Sequence, residues 1–185
     1  LGDDLKNRGA SITVLVNNAD IYKQGPFADA NEDNWMEQIQ INLLGPIQIT
    51  QLLLPQITKN KGSITNISSN LGLKPIETTS IYSATKAAMN SWTQTLALEV
   101  ATSGVRVNAI CPGLVDTPIH GFHGSDKPED IALVKKLQNL QPMARMGRPT
   151  DIAEATYFVS SPEASWMTGA LIPVDGGGVL TSRNL

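Results

Sequence analysis

The sequence contains little of what several classes of protein require. Its single cysteine, Cys111, excludes an internal disulfide and gives no argument for secretion. Its two histidines, His120 and His123, are not accompanied by further ligands at convincing spacing, so we expect no metal site and interpret both as loop residues. The net charge of −3 and the lack of an apolar run of membrane length give no reason to expect nucleic acid or a membrane as a partner.

What the chain does contain is typical of one globular domain with a substantial core, since 41% of its 185 residues are hydrophobic. Apolar strand-like stretches alternate with helical patterns. We predict strands at 11–17, 62–68, 105–111 and 170–175. We predict a first helix that begins after Asn31 and ends near Pro55, and further helices at 81–100, 128–140 and 151–160. Asn31 and Thr150 are the predicted caps of the first and last helix, and Gly104 is placed to end the longest. The alternation predicts an α/β fold, a doubly wound parallel sheet with helices on both faces.

Tyr82 and Lys86 stand four residues apart in the predicted 81–100 helix, and residues at this spacing share one helix face. An ammonium close to a phenol favours its ionised form, so the pair predicts a tyrosine able to exchange a proton near neutral pH. Taken alone the spacing is weak evidence, because a half-buried tyrosine beside a solvated lysine produces the same pattern.

Two neighbouring segments strengthen the pattern. A predicted strand ends in a serine pair at Ser69, thirteen residues before Tyr82, and a later strand runs into the Pro-Gly turn of 105–117. Together these motifs resemble the short-chain dehydrogenase/reductase (SDR) family. The resemblance extends from about Leu5 to Gly178. It includes the Asn-Asn-Ala segment at 17–19, the Asn42 helix, and the motifs at 147–149, 168–169 and 174–177.

The resemblance implies a catalytic set of four residues. Tyr82 is the general acid/base, and Lys86 lowers the pKa of Tyr82 and hydrogen-bonds the nicotinamide ribose. Ser69 donates a hydrogen bond to the substrate oxygen, so Ser69 and Tyr82 are also the substrate contacts. Asn42 is the asparagine of a proton relay. Ser68 is not chosen, because strand alternation sends it to the other face.

The sequence supplies its own reason for a special position at Asn42. Pro46 has no N–H, so the carbonyl of Asn42 loses its helical partner. We expect Pro46 and Gly45 to create a bend, and a water to bridge the freed carbonyl toward Lys86. An ordinary kinked core helix is the alternative.

The resemblance also implies NAD or NADP as cofactor. Beside Tyr82 and Lys86, the expected cofactor contacts lie in two loops at the carboxyl ends of strands: Asn18, Ala19, Pro112, Gly113, Val115 and Thr117. Asp20 departs from the family, which has glycine there. We expect a positive φ at Asp20, since aspartate tolerates it, and we expect its carboxylate to disfavour the cofactor phosphates.

The glycine-rich turn that opens a nucleotide-binding doubly wound fold is not found before the first predicted strand, where the glycines are Gly2 and Gly9. The resemblance implies that three strands precede residue 1. We therefore interpret 1–185 as a single partial Rossmann-type domain with a substrate lid at about 118–142, and expect 13–16 to form an exposed apolar edge. The choice between NAD and NADP stays open.

The leading functional prediction is an NAD(P)-dependent oxidoreductase that interconverts an alcohol and a ketone or aldehyde. The alternative is a truncated, inactive relative that acts as a binding or oligomerisation module. A serine hydrolase is a distant third, because no G-x-S-x-G elbow is present. We expect a small-molecule substrate, no nucleic acid or membrane partner, a homo-oligomer (dimer or tetramer) and a cytoplasmic location.

Overall fold

The computed structural model describes residues 11–121 and 123–181, and Gly2, Leu5 and Gly9 lie outside them. Four parallel strands form one sheet in chain order: β1 Val14–Asn17, β2 Ser63–Ile67, β3 Arg106–Pro112 and β4 Leu171–Val174. The five α-helices of the described residues are α1 Glu32–Ile39, α2 Gly45–Lys59, α3 Ser80–Val100, α4 Pro128–Leu140 and α5 Pro149–Ser160. The predicted α/β fold with a parallel sheet is confirmed.

The alternation of side chains along β2 shows how both faces of the sheet are covered. Ile64 points into a buried cluster formed with side chains of α2, α3 and the start of β3: Leu53, Ile57, Leu96, Ala97, Val100, Val105 and Val107. On the opposite face, the hydroxyls of Ser63 and Thr65 each lie 2.8 Å from an oxygen of Ser160 at the end of α5. The sheet therefore lies between α2 and α3 on one side and α5 on the other.

β1 forms one edge of the described sheet, since its recorded pairing is with β2. Its apolar side chains Val14 and Val16 are 45% and 40% exposed. The expected exposed apolar edge is confirmed.

The predicted start of α1 and end of α3 are confirmed, whereas α2 continues past Pro55 to Lys59 and the start of α5 differs. Asn31 caps α1, because its Oδ1 accepts from the backbone N–H of Asn34 at 2.9 Å, and Gly104 adopts a left-handed conformation (φ 80°) after the short turn that follows α3. The Thr150 cap is wrong. Asp151 instead accepts from the backbone N–H of Arg148 at 2.7 Å, and Pro149 occupies the first position, where no N–H is required. α5 therefore begins one residue before Thr150.

The helix predicted from Asn31 to near Pro55 is not continuous. A π-helical turn, Gln40–Leu44, joins α1 to α2, and the Gly45 N–H donates to the carbonyl of Gln40, five residues earlier. This turn ends directly before Gly45. The bend expected from Gly45 and Pro46, with the Asn42 carbonyl exposed, stays a prediction.

Candidate active site

The carboxyl ends of the four strands meet at one rim of the sheet, and the predicted serine, tyrosine and lysine lie together there. Ser69 follows β2 and caps a short turn, its Oγ accepting from the N–H of Leu71 at 3.1 Å. Tyr82 and Lys86 lie in the first turns of α3 and are 6% and 0% exposed. Lys86 Nζ is 5.5 Å from the centre of the Tyr82 ring, and the Ser69 hydroxyl lies near enough to the phenol to favour a lower pKa of Tyr82.

Asp20 contacts both members of the tyrosine–lysine pair. The Tyr82 hydroxyl donates to Asp20 Oδ2 at 2.9 Å, and Lys86 Nζ lies 3.0 Å from Asp20 Oδ1. Lys86 also donates to the carbonyl of Ile67, at the end of β2, at 3.0 Å. One carboxylate thus bridges the phenol and the ammonium across more than sixty residues of chain.

These contacts determine the direction in which each pKa is displaced. Burial, and then the charge and hydrogen bond of Asp20, raise the pKa of Tyr82 well above its usual range, while the Ser69 hydroxyl opposes this. Burial lowers the pKa of Lys86, and Asp20 counteracts part of that effect. Burial also raises the pKa of Asp20, although Lys86 pulls it down.

The expected net lowering of the Tyr82 pKa is not found, since its displacement in this structure is upward. The positive charge of Lys86 is compensated by the Asp20 carboxylate, which at the same time touches the phenol and disfavours a second negative charge there. The positive φ expected for Asp20 is also wrong, because the non-glycine residues with positive φ among the described residues are Lys61, Thr78 and Ala144.

Asn42 holds the loop that carries Asp20. Its Oδ1 accepts from the backbone N–H of Ile21 at 2.9 Å, and its Nδ2 donates to the carbonyl of Ile21 at 2.8 Å. The Asn42 side chain is fully buried. Since Ile21 follows Asp20 directly, this clamp fixes the backbone from which the carboxylate reaches Tyr82 and Lys86. The link from the Asn42 carbonyl through water to Lys86 stays a prediction.

Buried amides also brace the start of this loop. Asn17 Nδ2 lies within hydrogen-bond distance of Thr50 Oγ1 and of Asn66 Oδ1, at 3.1 and 2.8 Å. Asn66 in turn donates to Thr93 Oγ1 of α3 at 2.8 Å. The end of β1 is therefore fixed to α2, β2 and α3 at once.

The residues expected to contact a cofactor lie along the same rim. Asn18 and Ala19 follow β1 and are exposed. Pro112 ends β3, and Gly113 lies so close to β4 that a Cβ on it would stand 2.6 Å from the Cβ of Asp175. Val115, buried, bridges to Gly147, and the Thr117 hydroxyl lies 3.5 Å from the Val115 carbonyl.

Aromatic rings border the phenol of Tyr82. The Tyr22 ring packs edge-on against it with centroids 4.9 Å apart, and the His120 ring packs on Tyr22 at 5.4 Å. His123 instead pairs with Asp116, Nδ1 to Oδ1 2.7 Å. Within residues 11–121 and 123–181 no group of three or more potential ligands is arranged to hold a metal ion.

Asp20, Ile21 and Tyr22 are the site residues that sequence reasoning missed in these positions. The one available signal was the replacement of the family's glycine by Asp20, which marked the loop as unusual without showing where its carboxylate points. Among the helices of the described part of the chain, none is long and apolar enough to cross a membrane.

Comparisons with known proteins agree with the motifs. A family model described as enoyl-(acyl carrier protein) reductase matches residues 1–178. The 3-oxoacyl-[acyl-carrier-protein] reductase FabG of Thermotoga maritima is 36% identical over 170 residues, which cover 91% of this chain and 67% of the relative. Oxidoreductase UcpA of Escherichia coli K12 is 38% identical over 181 residues, 95% of this chain and 68% of the relative.

The fold is shared with solved dehydrogenase structures. A gluconate 5-dehydrogenase from Burkholderia cenocepacia, in complex with NADP and tartrate, superposes with a TM-score of 0.89 at 25% identity. The alignment covers 97% of this chain and 69% of that structure. The chain therefore corresponds to about two thirds of the proteins it resembles.

Proposed function

Because the chain belongs to the short-chain dehydrogenase/reductase family, we propose that it is an NAD- or NADP-dependent oxidoreductase that interconverts an alcohol and a ketone or aldehyde. The observation that carries the proposal is the meeting of Ser69, Tyr82 and Lys86 at the carboxyl rim of the sheet. The named relatives are reductases and oxidoreductases, which supports the same reaction class.

Each residue has a distinct task in the proposed reaction. The Ser69 hydroxyl orients the substrate oxygen and donates a hydrogen bond that strengthens as negative charge develops there. Tyr82 exchanges the proton with that oxygen. Lys86 supplies the positive charge at the rim, and Asn42 holds the loop beside them.

The chemistry of these side chains fits a nicotinamide cofactor. A ribose diol needs both donors and acceptors, and the Lys86 ammonium beside the partly exposed Asp20 carboxylate offers both. When bound, the nicotinamide accepts or supplies the hydride. We assign Lys86, Tyr82, Pro112, Gly113, Val115 and Thr117 to its nicotinamide half, and Asn18 and Ala19 to its adenosine side. The gluconate 5-dehydrogenase with NADP is a structural neighbour consistent with this choice.

Titration of NADH and NADPH against the chain, followed by nicotinamide fluorescence, tests cofactor binding. Saturable binding is the expected result, and no binding at millimolar cofactor would contradict the proposal. Turnover is then measured for Tyr82→Phe and for Tyr157→Phe, a matched control because Tyr157 is 78% exposed on α5. We expect Tyr82→Phe to lose about 100-fold or more in kcat and the control to keep its rate.

A second candidate is an inactive relative that serves as a binding or oligomerisation module. The observation that favours it is the engagement of both Tyr82 and Lys86 by Asp20, which occupies the groups that a ribose and a substrate would use. Lack of cofactor binding in wild type together with its recovery in Asp20→Gly would support this candidate.

We also propose a homo-oligomer that pairs α3 with its copy in another subunit, a cytoplasmic location, and a substrate lid at about 118–142 that includes α4. The exposed side of α3 is flat near its start, with Ala84, Ala87 and Ser91, and carries Leu98, 80% exposed, further along. Light scattering on the wild type and on Leu98→Glu tests the pairing: we expect the variant to dissociate.

A further inference from the structure

Asp20 is placed to do more than neutralise Lys86. Its Oδ2 accepts the hydrogen bond that the Tyr82 hydroxyl donates, at 2.9 Å. The lone pairs of the phenol oxygen can therefore accept a hydrogen bond from another group. Its Oδ1 is held by Lys86 at 3.0 Å, and its backbone is fixed by the Asn42 clamp on Ile21. Two anchors thus keep one carboxylate oxygen directed at the phenol.

We propose that Asp20 takes the proton of Tyr82 during alcohol oxidation and returns it during carbonyl reduction. This deepens the proposed function and rests on it. In oxidation the alcohol O–H bond breaks and its proton bonds to the Tyr82 oxygen, while the former Tyr82 proton bonds to Asp20 Oδ2. The C–H bond of the alcohol carbon breaks with its electron pair leaving as hydride to the oxidised nicotinamide, and the C=O bond forms.

Neutral Tyr82 is sufficient for this step, since no free phenolate is formed. That resolves the difficulty that burial and Asp20 raise the pKa of Tyr82. The proton on Asp20 then leaves to solvent, because the Asp20 side chain is 14% exposed whereas that of Lys86 is 0% exposed. Asp20 therefore contacts solvent itself, and the proton can leave the site from it.

The other titratable groups packed around Asp20, Tyr82 and Lys86 are poorer proton acceptors. Burial raises the pKa of the Cys111 thiol to about 11, so it stays protonated at neutral pH. The Tyr22 phenol, whose pKa is also raised by burial, presents a ring edge to Tyr82, and His120 lies behind Tyr22. The Lys86 ammonium carries a proton already and is paired with Asp20.

The two reaction directions require opposite states of Asp20. Oxidation needs the carboxylate, so its rate rises with pH through the pKa of Asp20, which burial displaces above the usual range of aspartate. Reduction needs the protonated acid, so its rate falls with pH through the same value. The ionisation of one group, Asp20, then produces both the rising pH limb of oxidation and the falling pH limb of reduction.

The test compares Asp20→Asn, which keeps the shape but accepts no proton, with Asp20→Gly, which restores the residue expected from the family resemblance, and with the control Asp29→Asn, an exposed carboxylate on another turn. We expect Asp20→Asn to reduce kcat for oxidation about 100-fold with an unchanged KM for the alcohol, and to lose the rising limb of the pH profile. The control keeps both.

Asp20→Gly gives a second readout that needs no cofactor. Without the carboxylate, Lys86 acts on Tyr82 unopposed, so one tyrosine is expected to ionise at lower pH in a spectroscopic titration than in wild type. Tyr82→Phe in the Asp20→Gly background removes that transition and so identifies it.

The outcomes separate the two levels of the hypothesis. A wild-type chain that neither binds cofactor nor turns over contradicts the proposed function, and the proton transfer falls with it. An active wild type whose kcat and pH profile are unchanged in Asp20→Asn overturns the proton transfer alone. An unchanged tyrosine titration in Asp20→Gly does the same.

Discussion

Replacing Asn42 with alanine tests how strongly one buried amide fixes the active-site loop. The substitution removes an acceptor 2.9 Å from the Ile21 N–H and a donor 2.8 Å from the Ile21 carbonyl. Each backbone group left without its partner costs about 1–3 kcal/mol, and both bonds are only partly buried, so water replaces some of the loss. We expect the free energy of unfolding to fall by about 2–4 kcal/mol.

The measurement is a urea or thermal unfolding curve, in which this loss corresponds to roughly 5–15 °C in Tm for a chain of this size. Asn31→Ala is the comparison, because it removes one exposed helix-cap bond and should cost about 1 kcal/mol. The same Asn42 variant should release Asp20 from Tyr82 and bring the pKa of Tyr82 closer to its ordinary value. A loss below about 0.5 kcal/mol, in the range of an ordinary surface change, would refute the clamp.

Two further substitutions test the frame of the site. In Gly72→Ala the new Cβ would lie 2.8 Å from the Lys86 carbonyl carbon. We therefore expect the free energy of unfolding to fall by about 1–3 kcal/mol and turnover to be reduced. The control Gly25→Ala, whose Cβ would have nothing within 4 Å, should change neither. At the start of α5, Arg145 and Arg148 hold the pKa of Asp151 far below its usual range. The ionised Asp151 therefore stabilises the fold at pH values above the ordinary pKa of aspartate. This stabilisation is lost as the pH falls toward the lowered pKa of Asp151. The unfolding curves of wild type and Asp151→Asn should therefore differ at neutral pH and converge in strong acid; a constant difference would contradict this.

The order of strands and helices was predictable because each element has a local cause. A mostly apolar and buried segment such as β3 fits a strand covered on both faces, and caps such as Asn31 lie within a few residues of the groups they satisfy. The Tyr82–Lys86 face follows from helix geometry alone. The missed start of α5 shows the limit, since Asp151 competes with Thr150 for the same helix end.

The contacts of Asp20 were not predictable in the same way. The direction of its side chain depends on the path of the loop after β1, which the buried Asn42 fixes from a different helix. The direction of the Tyr82 pKa shift follows from that path, because the Asp20 carboxylate beside the phenol raises the pKa that Lys86 was expected to lower. The local sequence pattern identified the residues of the site, and the tertiary structure determined how their charges interact.

The central claim is that the Ser69 hydroxyl and the Tyr82 phenol act on one substrate oxygen, and a double-mutant cycle in turnover tests it most directly. Residues that act as a unit show strongly non-additive losses. We predict that Ser69→Ala with Tyr82→Phe loses little more in kcat/KM than Tyr82→Phe alone. Full additivity of the two single losses would contradict the account.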